Sequence, residues 1–231
     1  MRRKSKQVCE PERGAPWPPP WTAAGVIEAL QPLAAEERKS RLSSVIAARL
    51  DSVTVVLDAP HDPHNGAAVL RTCDAFGIQN LHVVPGSEPF VIATTVTRGS
   101  EKWVDVVPHA SPAEAVRALV EAGYELVATR PDGELFPEDL AAVKKLALIV
   151  GNERDGIREE LSRAARRAVR VPMRGFVESL NLSVSTAILL AQATRGRPGD
   201  LTPLQKQALY ARGLFRSVVR ADDVLSALDP R

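Results

Sequence analysis

Cysteine and long apolar runs are scarce in this 231-residue sequence. The two cysteines, Cys9 and Cys73, lie far apart and form no CxxC pair. This excludes a disulfide framework and a cysteine-based zinc site, and it fits a reducing compartment. No apolar segment is long enough to span a bilayer, and the basic N-terminus runs into Pro16–Pro20 instead of the apolar stretch of a signal peptide. We therefore expect a cytoplasmic protein without a membrane span.

The motifs of several common enzyme classes are also absent. No GxGxxG follows a strand-like segment and no GxxxxGK[ST] occurs, so the dinucleotide and P-loop phosphate sites are excluded. Neither GxSxG nor HExxH is present. His61 and His64 lie in a turn-like stretch without a second ligand cluster, so we expect no metal site. The four histidines leave a hydrolase triad formally open, but no residue pattern supports one.

Charge is nearly balanced, with 30 Lys and Arg against 28 Asp and Glu, but its distribution is uneven. Basic residues gather toward both ends of the chain; they include Arg2, Arg3, Lys4, Lys6, Arg41, Arg195, Arg197, Lys206, Arg212, Arg216 and Arg220. The last three recur every fourth residue, a spacing that predicts one shared helical face. Two interpretations stay open: a solvated face paired with Asp222 and Asp223, or a surface that binds RNA.

The chain divides into three predicted parts. Residues 1–50 form a basic, proline-rich arm followed by a helical extension, in which Arg38–Arg41 separates two short helices. Residues 51–197 alternate strand-like and helix-like segments. Residues 198–231 form a C-terminal helical extension that begins at the capping box Thr202–Gln205.

The central part predicts an α/β fold with a mainly parallel sheet and helices on both faces. The predicted strands are Val53–Leu57, Leu81–Val84, Trp103–Val107, Leu126–Thr129, Leu146–Gly151 and Val169–Pro172. One predicted helix is capped by Asn65 and ends at Gly77, and another begins at Ser111 and ends at Gly123. A third, Asn181–Arg195, is apolar on most faces, which is typical of a helix packed between other elements.

Three short segments of the central part carry polar groups suited to chemistry. The first is Asn65–Arg71, where Asn65 could be a simple helix cap and Arg71 a surface partner of Asp74. The second is Gly151–Glu153, a sterically open loop at the carboxyl end of a buried strand, where ligands settle in open α/β sheets. The third is Ser179–Asn181, which holds more polar groups than one helix cap requires.

In this order and spacing, the segments resemble the SpoU family of RNA ribose 2′-O-methyltransferases, part of the SPOUT class. The matching pattern is N-x5-R at Asn65 and Arg71, then GxE at Gly151 and Glu153, then P-M…S-L-N-x-S over Pro172–Ser183. The resemblance implies a deep trefoil knot in the C-terminal half of the α/β domain, a homodimer, and S-adenosylmethionine as cofactor. The implied cofactor-binding residues are Thr129, Gly151, Asn152, Val171, Met173, Leu180 and Leu182.

The resemblance also implies the catalytic residues, whereas the RNA-binding residues are expected from the basic residues toward both ends of the chain. The catalytic set is Arg71, Asn65, Glu153, Ser179 and Asn181, and the RNA-binding set is Arg2, Arg3, Lys4, Arg41, Arg212, Arg216 and Arg220. In the family, the arginine matching Arg71 is assigned activation of the ribose hydroxyl. A guanidinium is effectively always protonated, so we expect Arg71 to grip the neighbouring RNA phosphate instead of acting as a free base. Asn65 is then expected to orient the ribose or Arg71.

The stretch Thr97–Trp103 further resembles the G-S-x-K-W sequence of the branch that methylates guanosine 18 in the D-loop of tRNA. That resemblance favours tRNA as the substrate. The class also contains enzymes for ribosomal RNA and for the tRNA anticodon loop, which are the alternative. A non-catalytic RNA-binding module is a third interpretation. The presence of all the core motif residues argues against it.

Overall fold

A computed structural model of the chain describes residues 15–86, 93–152 and 154–228. The predicted site residues Arg2, Arg3, Lys4 and Glu153 lie outside these ranges. The chain splits into two compact units, which we call the terminal unit (residues 1–49 with 199–231) and the central unit (residues 50–198). No helix among the described residues is long and apolar enough to cross a membrane.

The central unit contains one sheet of six parallel strands in the order β3-β2-β1-β5-β4-β6. The strands are β1 (Val53–Asp58), β2 (Asn80–Val84), β3 (Asp105–Pro108), β4 (Glu125–Thr129), β5 (Leu146–Val150) and β6 (Arg167–Val169). In the middle of the sheet Val55 of β1 lies opposite Leu81 of β2 and Leu148 of β5. The predicted parallel sheet is therefore confirmed.

Nine helices accompany the strands in the part of the chain that the structure describes. They are α1 (Ala23–Leu30), α2 (Glu36–Ala47), α3 (Pro63–Ala75), α4 (Thr94–Thr97), α5 (Pro112–Glu121), α6 (Glu159–Ala164), α7 (Leu182–Ala193), α8 (Pro203–Phe215) and α9 (Ala221–Ser226). Short 3₁₀ turns occur at Gln31–Leu33, Ser100–Lys102 and Pro137–Ala142.

Alternation along the central strands divides the core between the two faces of the sheet. Val55 and Leu148 belong to one cluster, which also contains apolar residues of α3 and α7. Val56 and Ile149 belong to the other, together with apolar residues of α5 and α6. Helices therefore cover both faces, as predicted. Both faces of β1 and β5 are buried, and each large apolar side chain so buried contributes about 1.5–3 kcal/mol.

Four predicted strands differ from the observed bounds by one residue at one end, and the two others differ by more. The strand predicted at Trp103 begins at Asp105, because the N–H groups of Trp103 and Val104 are used by the preceding 3₁₀ turn, donating to the Ser100 carbonyl. The strand predicted over Val169–Pro172 ends at Val169. Beyond it, the Arg170 N–H donates to the Leu135 carbonyl, and the chain leaves the sheet.

The terminal unit packs α1 against α8 and α9, and α2 against α8. Of the proline-rich arm the structure describes residues 15–22, which form no helix or strand but are packed. Trp17 is buried, its ring lies edge-on to that of Phe215 at 6.3 Å, and its Nε1–H donates to the Trp21 carbonyl. The two short helices are confirmed, but their predicted break at Arg38–Arg41 is wrong. The break falls at Gln31–Ala35, where Pro32 lacks an N–H, and the basic residues lie inside α2.

The predicted shared face of Arg212, Arg216 and Arg220 is also wrong. Helix α8 ends at Phe215, and Arg220 precedes α9 in a left-handed conformation with φ of 56°. Arg212 is only 6% exposed, whereas Arg216 and Arg220 are exposed. The helical period therefore stops one residue before Arg216, and the three side chains do not form one stripe.

Arg197 is occupied inside the central unit. Its Nε–H donates to the Ala193 carbonyl at 2.7 Å, and its Nη1–H donates to the Lys144 carbonyl at 2.8 Å. Its Nη2 group donates to the carbonyls of Leu140, Ala141 and Val143. This arginine thus ties the end of α7 to the segment that leads into β5, so the basic C-terminal composition is partly structural.

Candidate functional site

A cavity of about 460 Å³ lies in the central unit, where β4, β5 and β6 end. Its wall contains all seven residues predicted to bind the cofactor: Thr129, Gly151, Asn152, Val171, Met173, Leu180 and Leu182. Ser179 and Asn181 of the predicted catalytic set also line it. Residues separated by more than fifty positions therefore meet at the carboxyl ends of parallel strands, the usual location of ligand sites in open α/β sheets.

The loop after β5 is held in a tight turn. The Asn152 side-chain oxygen accepts from the N–H groups of Arg154 and Asp155 at 2.9 and 2.8 Å. The backbones of Asn152 and Gly156 exchange two hydrogen bonds of 3.1 Å. A Cβ atom on Gly151 would lie 2.2 Å from the Gly156 carbonyl carbon, so no side chain fits there. The glycine of the GxE pattern is thus required by the close approach of two backbone segments.

The loop after β6 leads to Asn181, which caps α7. Its side-chain oxygen accepts from the Ser183 N–H at 2.9 Å and from the Ser183 hydroxyl at 2.7 Å. Ser179 lies two residues earlier and is not the cap, but it lines the cavity. The prediction that this segment carries more polar groups than one cap needs is therefore confirmed.

A hydrogen bond joins the first and third predicted segments. The Asn181 side-chain N–H donates to the Asn65 side-chain oxygen at 3.0 Å. The prediction that Asn65 caps its helix is wrong, since Asp62 is the cap and accepts from the His64 N–H at 2.8 Å. Pro63, with its fixed φ and missing N–H, suits the first helical position, and this places the cap at the preceding residue.

Arg71 projects from α3 as an exposed side chain outside the cavity wall. Among the described residues it forms no ion pair and no side-chain hydrogen bond. The alternative partner Asp74 instead accepts from the Ser100 hydroxyl at 3.1 Å. Arg71 is therefore a cation available to a ligand, on the same helix as Asn65.

The stretch Thr97–Trp103 packs beside α3 through that Ser100 contact. The Thr97 hydroxyl donates to the Glu101 carboxylate, and this bond is the main reason that the pKa of Glu101 lies below its usual value. Gly99 has φ of 96°, a conformation that side chains rarely adopt. The segment is thus a defined turn next to the helix that carries Arg71.

Three charged residues in the cavity wall were not predicted: Arg130, Arg170 and Glu178. The Arg130 Nε lies 3.3 Å from an Asp132 carboxylate oxygen, and the Arg170 guanidinium lies 4.9 Å from the centre of the Phe136 ring. Arg130 and Arg170 each follow the last residue of a strand directly. Arg130 directly follows the predicted strand Leu126–Thr129, and that position was the signal that could have found it. Arg170 lay inside the predicted strand Val169–Pro172, so it carried no such signal.

No group of three or more His, Cys, Asp or Glu side chains that could hold a metal ion occurs in residues 15–86, 93–152 and 154–228. Cys73 is buried in the core, away from the surface of α3. His82 and His109 are also buried, and their rings stack with Nδ1 of His82 hydrogen-bonded to Nε2 of His109 at 2.8 Å. None of these residues lines the cavity.

Residues 52–191 match the model of the SpoU rRNA Methylase family. The chain belongs to the SpoU family. The matched range contains the whole cavity wall together with Asn65 and Arg71. The family resemblance that three short motifs indicated is thereby confirmed.

Relatives within the SpoU family extend the similarity over most of the chain. A tRNA (guanosine(18)-2′-O)-methyltransferase of Thermus thermophilus is 38% identical over 164 residues, which are 70% of this chain and 84% of the relative. The crystal structure of the A. aeolicus TrmH/SpoU tRNA modifying enzyme has a TM-score of 0.71 and 29% identity, and it covers 80% of this chain and 98% of its own. The SpoU methyltransferase AviRb of Streptomyces viridochromogenes, in complex with the cofactor AdoMet, has a TM-score of 0.57 and 28% identity over 66% of this chain and 63% of its own.

Proposed function

We propose that this chain transfers the methyl group of S-adenosylmethionine to a ribose 2′-hydroxyl of RNA, with guanosine 18 of the tRNA D-loop as the target. The observation that carries this proposal is that the wall of one cavity contains every predicted cofactor residue. The similarity to a tRNA (guanosine(18)-2′-O)-methyltransferase supports the substrate, and the AdoMet complex of AviRb supports the cofactor.

The cavity suits S-adenosylmethionine in size and in chemistry. Its volume of about 460 Å³ is within the range of small-molecule sites. The Thr129 hydroxyl already donates to the Ile149 carbonyl at 3.0 Å, and Gly151 has no side chain, so both positions offer mainly backbone groups to an adenine ring. Arg130, Arg170 and Glu178 supply charges for the zwitterionic methionine portion. When bound, this cofactor supplies a methyl group that its sulfonium has already activated.

The protein's own contribution is then alignment and charge stabilisation. Arg71 carries a permanent positive charge at an exposed position, which suits a grip on the phosphate beside the target ribose. The same guanidinium either stabilises the developing negative charge on the 2′-oxygen or holds the phosphate so that it relays the hydroxyl proton. Asn65 and Asn181, hydrogen-bonded to each other, hold the ribose side of the site next to the cavity.

The division of labour that we propose assigns catalysis to residues 51–197 and RNA contacts to the extensions, residues 1–50 and 198–231. Arg41, Arg216 and Arg220 are exposed in the terminal unit and can meet phosphates. Arg212 is withdrawn from this set because it is buried. The N-terminal residues Arg2, Arg3 and Lys4 stay a prediction.

We also propose the homodimer, the trefoil knot and the cytoplasmic location that the family resemblance implies. Val184 and Ile188 support the homodimer: they are 47% and 37% exposed, and they lie four residues apart on one face of α7. An exposed apolar pair on a helix whose other side is buried suits a second copy of the chain. Light scattering of the wild type and of Val184→Glu tests this, and a monomeric wild type would contradict it.

The decisive test of the proposed function is methyl transfer from labelled S-adenosylmethionine to purified tRNA and to ribosomal RNA, followed by mapping of the modified ribose. We expect label in tRNA at guanosine 18, and none in a tRNA whose position 18 is adenosine. The description of the family model as an rRNA methylase favours ribosomal RNA as the second candidate. Label in ribosomal RNA alone would establish that candidate and overturn the tRNA assignment.

A further inference from the structure

A buried ion pair anchors the far end of the loop that follows β5. Asp58, the last residue of β1, has a fully buried carboxylate. It accepts from the Arg158 backbone N–H at 2.7 Å and from the Arg158 guanidinium Nε–H at 2.6 Å. The Nη2 group of Arg158 lies 2.5 Å from the same carboxylate and also donates to the Val84 carbonyl at 3.2 Å. One side chain thus ties the loop to the carboxyl ends of β1 and β2.

The anchored loop is the one that forms a side of the cavity. Gly151, Asn152, Gly156 and Ile157 line the cavity, and Arg158 follows directly. The loop is therefore held at its start by β5, inside by the Asn152 turn, and at its end by Asp58. The anchoring contact itself lies outside the cavity wall, since neither Asp58 nor Arg158 lines it.

We propose that Asp58 and Arg158 are positioning residues for the cofactor, which hold Gly151, Asn152, Gly156 and Ile157 in their binding conformation. This inference rests on the proposed function, because it assumes that the cavity binds S-adenosylmethionine. The physical reason is that a buried carboxylate with three donors from one arginine defines a unique loop geometry. Without the pair, the loop would sample other conformations, and cofactor binding would have to select the competent one.

The test compares three changes at the pair with a matched control on the next helix. Arg158→Gln removes the charge, Arg158→Lys keeps it but loses the forked geometry, and Asp58→Asn keeps an acceptor but not the charge. The control is Arg163→Gln, because Arg163 pairs with Glu159 on α6 and both side chains are about three-quarters exposed. For each protein we would measure the S-adenosylmethionine Kd by calorimetry, kcat and KM for both substrates, and the thermal midpoint.

We expect Arg158→Gln and Asp58→Asn to raise the cofactor Kd by about tenfold or more, as occurs when only about a tenth of the molecules hold the competent loop. At saturating cofactor, kcat and the KM for tRNA should stay near wild type. The cofactor Kd of Arg158→Lys should fall between those of the wild type and Arg158→Gln. Arg163→Gln should have the wild-type Kd.

The possible outcomes separate this inference from the function on which it rests. Loss of active protein with an unchanged cofactor Kd in the folded fraction would mean a merely structural role and would overturn the inference. A wild type that binds S-adenosylmethionine while all three variants bind it equally well would also overturn it. A wild type that does not bind S-adenosylmethionine at all would overturn the proposed function together with this inference.

Discussion

Asn181 donates a hydrogen bond to Asn65 at 3.0 Å and simultaneously caps α7. One side chain therefore links α3, which carries Arg71, to the loop that closes the cavity. Asn181 also accepts from the N-terminus of α7, whereas Asp62, and not Asn65, caps α3. That asymmetry leads to the first prediction.

Asn181→Ala should lower the free energy of unfolding by about 1 kcal/mol, the usual cost of a lost helix cap. Asn65→Ala should cost less, because Asp62 and not Asn65 caps α3 and the bond to Asn181 is solvent-exposed. Both should reduce methyl transfer, since both break the link between the helix of Arg71 and the cavity. Denaturant titration and turnover assays measure the two effects. An Asn65 variant as unstable as the Asn181 variant would contradict the assignment of the cap.

Arg71→Ala should reduce kcat at least about a hundredfold, as expected for the loss of a charge that stabilises a developing oxyanion. Cofactor affinity and thermal stability should stay unchanged, because Arg71 lies outside the cavity wall and is exposed. Arg117→Ala is the matched control, an exposed arginine on α5 at the opposite face of the sheet. Turnover near wild type in the Arg71 variant would remove this residue from catalysis.

Gly151→Ala should weaken cofactor binding and destabilise the fold by about 1–3 kcal/mol, the cost of overpacking. The added methyl would overlap the backbone of Gly156 and push the two arms of the loop apart. Gly175→Ala is the control: it lies in the loop after β6, and an added Cβ there meets nothing within 4 Å. Calorimetry with S-adenosylmethionine and thermal unfolding distinguish the two. Equal behaviour of the two variants would show that the close approach at Gly151 is not required.

Stability should fall as the pH drops below about 6.5, because of the buried pair His82 and His109. Burial, and secondarily the neighbouring His109, lowers the pKa of His82 to about 3, and burial also lowers the pKa of His109 despite the opposing charge of Glu114. The unfolded chain takes up these protons near pH 6.5. It therefore binds more protons than the folded chain between about pH 3 and 6.5, and unfolding becomes easier there as the pH falls.

His82→Asn is the variant that checks this pH dependence. Its amide can keep a hydrogen bond to Nε2 of His109 but does not titrate, so the loss of stability between pH 6.5 and 4 should be shallower than in the wild type. Denaturant titrations at several pH values measure the slope. A variant with the wild-type slope would place the acid sensitivity elsewhere in the molecule.

Replacing Arg41, Arg216 and Arg220 together by alanine should weaken tRNA binding without changing the cofactor Kd. Each lost phosphate contact reduces the slope of log affinity against log salt by about 1. Filter binding at several salt concentrations measures this slope. Lys145→Ala serves as the control, since Lys145 lies 3.4 Å from Asp51 and over the Tyr124 ring in the central unit. An unchanged salt slope in the triple variant would exclude these residues from the RNA surface.

Much of the fold was predictable because its signals are local. A β-branched run indicated β1, an apolar run indicated β5, and Gly77 follows α3 with φ of 74°. The capping box at Thr202 is present with both of its hydrogen bonds. The residues of the cavity wall were predictable through the family motifs. The sequence alone does not show that Thr129 and Leu182 line the same cavity.

Tertiary structure decided how each individual polar side chain is used. Arg197, Arg212 and Arg216 all lie in the basic C-terminal part of the chain, but they are used differently. Arg197 donates to several backbone carbonyls, Arg212 is buried, and Arg216 is exposed. Asp58 and Arg158 meet across a hundred positions, and Asn65 meets Asn181 across a still longer separation. Such long-range contacts follow no helical or strand period, so composition and spacing indicate the kinds of group present, whereas packing alone determines their partners.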